Sequence, residues 1–145
     1  MTDIVLRVAA KAVVVNDKNQ VLLVREGTKY ADGVKIGQYG LLGGRLDVGE
    51  AFEDGLRREV KEETGLEIEL LYPVYVGEWR PVIQDVPYQI VGIFMLCRAK
   101  GTKITLSDEH DDYHWIDIKN RTDYNVMQPD CFVLDELATR GIPKA

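Results

Sequence analysis

Glu59, Glu62 and Glu63 stand within five residues of one another, and Glu50 lies a short way ahead. Spacings of three and four residues bring side chains onto one patch of a helix. Carboxylates crowded in this way repel one another unless a positive charge sits among them. Divalent metal ions, held by carboxylate oxygens, are the usual answer.

A helical projection at about 100° per residue sharpens this. With Phe52 at zero, Leu56 falls at about 40° and Val60 at about 80°, forming one apolar stripe. Glu63 at about 20° and Glu59 at about −20° share that side, and Glu62 lies at its edge near −80°. Asp54, Arg57 and Lys61 occupy the opposite, solvated face. A carboxylate on the packed side costs about 2–7 kcal/mol unless it is paired or coordinates a cation. Pairing with Arg58 or Lys61 is expected to satisfy one acid, not three.

The elements around the acids are marked in the sequence. Asp47-Val48-Gly49-Glu50 has the form of a capping box, and Thr64-Gly65 supplies a left-handed helix stop. Gly43-Gly44 allows a tight bend and a close approach to a ligand. Gly55 in mid-helix implies that another backbone packs closely there.

Gly44, Glu50, Arg58-Glu59-Val60, Glu62-Glu63 and Gly65-Leu66 fill every fixed position of the Nudix box, so the chain resembles the Nudix hydrolase family. One flanking departure is Leu42, where relatives often carry Pro ahead of the two glycines. The resemblance implies an α/β fold with a mixed β-sheet sandwiched between helices. It also implies an enzyme that uses Mg²⁺ (or Mn²⁺) to hydrolyse a diphosphate linkage. By the same resemblance Glu59 and Glu63 are the principal metal ligands, with Glu62 helping to hold a second ion and a backbone carbonyl at Gly43 or Gly44 completing the shell. Glu50 and Arg58 become a structural ion pair, with Gly44 and Gly65 as structural box glycines. The general base is a box glutamate or Glu109, which lies on a later loop.

Substrate choice lies outside the box. Trp79, Tyr39 and Tyr88 could stack on a base, and Arg25 or Arg80 could meet a phosphate. Pro81, fifteen residues past Leu66, matches a proline that relatives cleaving ADP-sugars often carry. The expectation is a nucleoside diphosphate derivative, leaning to ADP-ribose-like or nucleotide-sugar substrates. A (d)NTP pyrophosphohydrolase is the alternative. A nucleotide-sensing module without turnover fits less well with an intact box. An isomerase would need a catalytic cysteine, and Cys97 sits in an apolar run. His110 and His114, four apart, lack a third zinc ligand at a metal-site spacing and are expected on a polar loop.

The remaining elements must position this box. Val5 to Val15 and Val21 to Val24 read as a hairpin, Glu67 to Val76 and Tyr88 to Ala99 as strands, and Trp115 to Ile118 as a short last strand. Pro129 to Thr139 reads as a C-terminal helix with Phe132, Val133, Leu137 and Ala138 at helical spacing. Residues 27–38, with three glycines and no periodicity, read as a loop and a candidate substrate lid or plain surface connection. The 145 residues are expected to form a single domain, residues 1–145. A formal charge of −6 argues against non-specific binding of nucleic acid. No run approaches the ~18 apolar residues of a membrane span. Two cysteines make no disulfide framework, so a cytoplasmic setting is expected. Partners are expected to be the small-molecule substrate alone, with a homodimer left open.

Overall fold

The computed structural model describes residues 3–28 and 35–142. Half of the 27–38 lid candidate, residues 29–34, lies outside the described residues. The strands are β1 (Val5–Val15), β2 (Val21–Glu26), β3 (Tyr39–Gly40), β4 (Leu42–Arg45), β5 (Glu67–Trp79), β6 (Val82–Ile83), β7 (Val86–Lys100) and β8 (His110–Ile116). Helix α1 spans Phe52–Thr64 and α2 spans Asp130–Arg140, with a 3₁₀ turn at Ile118–Asp123 between β8 and α2.

The sheet runs β3-β2-β1-β7-β5, with β4 added to β1, β6 to β7 and β8 to β2. Strand β1 pairs in parallel with β7 along its whole length and antiparallel with β4, so the sheet is mixed. Alternation along β1 splits the core in two. Ala10, Ala12 and Val14 face Leu56 and Val60 of α1. Val13 and Val15 face Val133, Leu134 and Leu137 of α2. Buried on both faces from Ala9 onward, β1 reads with β2 as a near-continuous apolar run, which is why both were visible in the sequence.

Several expectations change. Helix α1 begins at Phe52 with Ala51 as its N-cap and no side-chain cap. Asp47-Val48-Gly49-Glu50 forms a turn instead, in which the Glu50 N–H donates to the Asp47 carbonyl. The Glu50 carboxylate accepts the Asp47 N–H at 3.3 Å, the returning half of a capping box, but this turn closes ahead of α1 and leaves the helix N-terminus without a side-chain cap. The stop is as expected, with Gly65 at φ 76°. The close approach at Gly55 is by the Leu46 and Glu50 side chains, 2.5 and 2.8 Å from where its Cβ would lie, rather than by a backbone. His110 and His114 lie on β8 and not on a loop, because β2 offers that segment a partner strand. In α2 the buried positions are Asp130, Val133, Leu134 and Leu137, while Phe132 is exposed. The two-residue strands and the 3₁₀ turn carry too few residues to leave a periodic signal.

Candidate active site

Strand β4 and helix α1 build one wall of a cleft of about 390 Å³. Gly43 has φ 115°, and a Cβ there would lie 2.1 Å from the Ala10 carbonyl oxygen. The glycine is therefore demanded by the neighbouring strand β1, not by a ligand. With the strand so close, the Gly43 N–H donates to Glu63 Oε1 at 2.8 Å. A Cβ at Gly44 would lie 3.0 Å from the Glu59 carboxylate, so the second glycine leaves that acid room.

Glu59, Glu62, Glu63 and Glu109 all line this cleft. The projection of α1 is matched: Glu63 and Glu59 side chains are 13% and 20% exposed, against 59% for Glu62. Glu109 is brought in by a loop docked on the end of α1. The Thr105 N–H donates to the Thr64 carbonyl and the Ser107 N–H to that of Glu63. The Gly27 N–H then donates to the Glu109 carbonyl at 2.8 Å.

Arg58 does more than the sequence suggested. Its guanidinium grips Glu50 with two bonds, at 2.7 and 3.0 Å, and also reaches Glu59 at 3.3 Å and Glu62 at 3.2 Å. One fork-shaped cation with five donors can serve several carboxylates at once. The Glu50 carboxyl is held below the usual range by that bond. Lys61 points away and pairs with Glu67. Glu63 is the acid that Arg58 does not contact. Burial pushes its carboxyl up to about 8, against the pull of the Gly43 N–H. Burial also raises Glu59, with Arg58 opposing. His110 Nε2 lies 3.6 Å from Glu63, but burial lowers the imidazole to about 4. Burial therefore works against charge on both members of that contact.

The donor set is all carboxylate and backbone oxygen, which suits a hard divalent cation. A buried acid facing a cleft, its charge disfavoured by desolvation, is also the mark of a site where a cation would compete with the proton. Among the described residues, however, no three metal-ligating side chains stand together as a closed set, since Glu59 and Glu62 lean on Arg58.

A second cavity of about 130 Å³ shares Gly43, Gly44 and Arg45 with the cleft. Trp79 and Pro81 line it, as does the buried Asp130. Asp130 accepts the Leu41 N–H at 2.8 Å and stands 3.6 Å from Lys11. The other substrate candidates lie elsewhere. Arg25 binds Asp111 at 2.7 Å and covers the Tyr39 ring. Tyr39 donates to Asp112 and packs against Tyr124 and His114. Arg80 pairs with Glu78 on the surface, and Tyr88 lies under Arg45 at 5.2 Å. Arg7 and Arg45 line the acidic cleft, and sequence reasoning missed both. A lone cation within an apolar strand, as at Arg7 and Lys11, was the available signal.

Residues 5–128 match the family model described as the NUDIX domain. The chain belongs to the Nudix hydrolase family. As a Nudix hydrolase it is a pyrophosphohydrolase by class. It is 32% identical over 108 residues to the nucleoside triphosphatase NudI of Escherichia fergusonii, covering 68% of this chain and 76% of that one. It is 35% identical to the Salmonella schwarzengrund protein of the same name, covering 61% and 69%. The MutT protein of Methanosarcina mazei shares its fold at TM-score 0.81, with 19% identity and 99% and 100% coverage. An ADP-ribose pyrophosphatase of Streptococcus suis superposes at TM-score 0.64, with 20% identity and 96% of each chain covered.

Proposed function

We propose that this Nudix hydrolase cleaves a phosphoanhydride bond of a nucleoside triphosphate, with a nucleotide sugar as the second reading. The observation that carries the proposal is a single cleft lined by Glu59, Glu62, Glu63 and Glu109 and flanked by Arg7 and Arg45. Acids alone would repel a polyphosphate. Two guanidiniums beside them offer the planar, forked donors that phosphate oxygens accept.

Glu59, Glu62 and Glu63, with the Gly44 carbonyl, are the residues that would hold Mg²⁺ or Mn²⁺. The ion supplies neutralisation of phosphate charge and a lowered pKa for water. The chain does the rest. Arg58 fixes Glu50 and thereby the turn that precedes α1. The Gly43 N–H orients Glu63. Glu109 offers a carboxylate to take the proton of the attacking water, with the box glutamates as alternative bases. Water adds across the P–O–P link, and two phosphate-bearing products leave.

The preference for a triphosphate rests on sequence relatives named as nucleoside triphosphatases at 30–35% identity. The second reading, an ADP-ribose-like substrate, rests on Pro81, which lines the second cavity together with Trp79. A cavity of that size suits one planar base between apolar walls. We read residues 1–145 as one domain acting in the cytoplasm on a small molecule. No helix among the described residues is long and apolar enough to cross a membrane.

The test is turnover of a panel of (d)NTPs, ADP-sugars and dinucleoside polyphosphates with Mg²⁺ or Mn²⁺. Cleavage of triphosphates above the other substrates supports the proposal. Faster cleavage of ADP-ribose moves the assignment to the second reading. Tight nucleotide binding with no turnover of any compound would overturn hydrolysis.

A further inference from the structure

Strand β7 is apolar and bulky from Ile90 to Leu96, except at Gly92. Glycine weakens the interior of a strand and marks a place where another group must come very close. Conformation does not ask for it here, because Gly92 has no positive φ. A neighbour's bulk does. A Cβ at Gly92 would lie 2.6 and 2.9 Å from Cζ3 and Cη2 of Trp79, whereas carbon atoms in contact sit about 3.5–4.0 Å apart.

Register explains how the indole comes to be there. Gly92 pairs with Ala9 on β1 and with Gly77 on β5, so three small residues lie side by side. Trp79 pairs with Ile90, and its side chain leans diagonally over Gly92. Pro129 rests over Gly77, its Cγ 3.5 Å from where a Cβ would lie. Ala9, Trp79 and Pro129 all line the second cavity. The benzo end of the indole thus rests on the sheet, and the height of the ring sets the room left in about 130 Å³.

A methyl group at position 92 would lift the ring by roughly 1 Å. A planar group between close-packed walls tolerates little such movement. Core filling alone does not account for the pair, since a larger residue at 92 and a smaller one at 79 would fill the same volume without a glycine in mid-strand. Trp79 is instead left half-buried, with the cavity beside it.

We propose that Gly92 is a positioning residue for substrate selection, on the reading of the second cavity as the base site. It seats Trp79 low on the sheet and so keeps the cavity wide enough for a planar base.

Trp115→Phe leaves Trp79 as the one tryptophan of the chain, so fluorescence reports how the ring is seated. In that background Gly92→Ala is expected to move the emission to longer wavelength and increase its quenching by acrylamide, with unchanged circular dichroism. For the triphosphate turned over fastest, Gly92→Ala should raise KM about fivefold and leave kcat within about twofold. In a Trp79→Phe protein, whose smaller ring leaves room for the methyl group, the same substitution should change KM by less than about twofold. An equal rise in both backgrounds overturns the proposal, because Gly92 would then act independently of the indole. So does a wild-type KM in Gly92→Ala where Trp79→Ala has lost affinity. Unchanged KM in both Gly92→Ala and Trp79→Ala overturns the reading of the cavity itself, and the proposal with it. If Gly92→Ala does not fold, recovery of folding by Trp79→Phe supports the seat, and failure of both proteins overturns it.

Discussion

Two cavities share the backbone of Gly43, Gly44 and Arg45 and are built on opposite principles. The cleft gathers like charges and holds them apart by hydrogen bonds to Arg58 and the Gly43 N–H. The cavity beside it has apolar walls around Trp79 and Pro81, and its buried carboxylates are hydrogen-bonded, Asp130 by the Leu41 N–H beside Lys11 and Glu26 by the Lys35 N–H. The cleft is electrostatically unfinished and the cavity is satisfied. Bond cleavage belongs where charge awaits a counter-ion, and discrimination belongs where shape is fixed. The shared strand would then hold scissile bond and recognised group at one separation.

The largest expected effect breaks the first half of this contrast. Glu63→Gln keeps the volume and a partner for the Gly43 N–H but removes the charge. We expect kcat to fall by about 10³-fold with little change in KM. Steady-state kinetics at saturating Mg²⁺ checks it, and a variant with full kcat would remove Glu63 from the machinery.

Trp79→Ala addresses the other cavity. Losing one stacking wall should raise KM by about tenfold and leave kcat within about twofold. Equal losses in kcat would mean that Trp79 positions the reacting bond, and the division between the two cavities would fail.

The contrast also has a pH signature. Glu63 is raised from 4.5 to about 8, mainly by burial. The folded protein therefore keeps a proton that the unfolded chain releases above 4.5. Stability without metal should fall as pH rises through that window and level off above about 8. Thermal melts in chelator across this range, for wild type and Glu63→Gln, should show the downward drift in the first and its loss in the second. Added Mg²⁺ should oppose the drift, since cation and proton compete for the same carboxylate.

The unequal legibility of the two cavities has a physical cause. Glu59, Glu62 and Glu63 of the cleft stand on one helix, so they were readable from a 3.6-residue period and a fixed box. The docking of Glu109 depends on backbone bonds from Thr105 and Ser107 to the end of α1, but its loop could still be found by position. The second cavity is assembled from β1, β4, β5, β7 and the lead-in to α2. Lys11 and Asp130 are 119 residues apart and meet only through the sheet. Long strands announced themselves by continuous apolar runs. The two-residue strands β3 and β6 did not, because tertiary partners and not local pattern define them.

Arg80 gives the finest division. It neighbours Trp79 in sequence, and the sequence offers it as a candidate phosphate contact. Its guanidinium instead bonds Glu78, and both side chains are about half exposed. Trp79 faces the side of Ile90 and the second cavity, whereas Glu78 faces the opposite side with Val91. Successive residues of a strand serve different faces, so one step along β5 separates a wall of the cavity from the far surface. Arg80→Ala should accordingly leave kcat/KM within about twofold, because an exposed ion pair is worth little. The comparison with Trp79→Ala under identical conditions is the sharpest available, since it tests a single step in sequence. A tenfold rise in KM from both would place the Arg80 guanidinium on the substrate and redraw the border of the cavity.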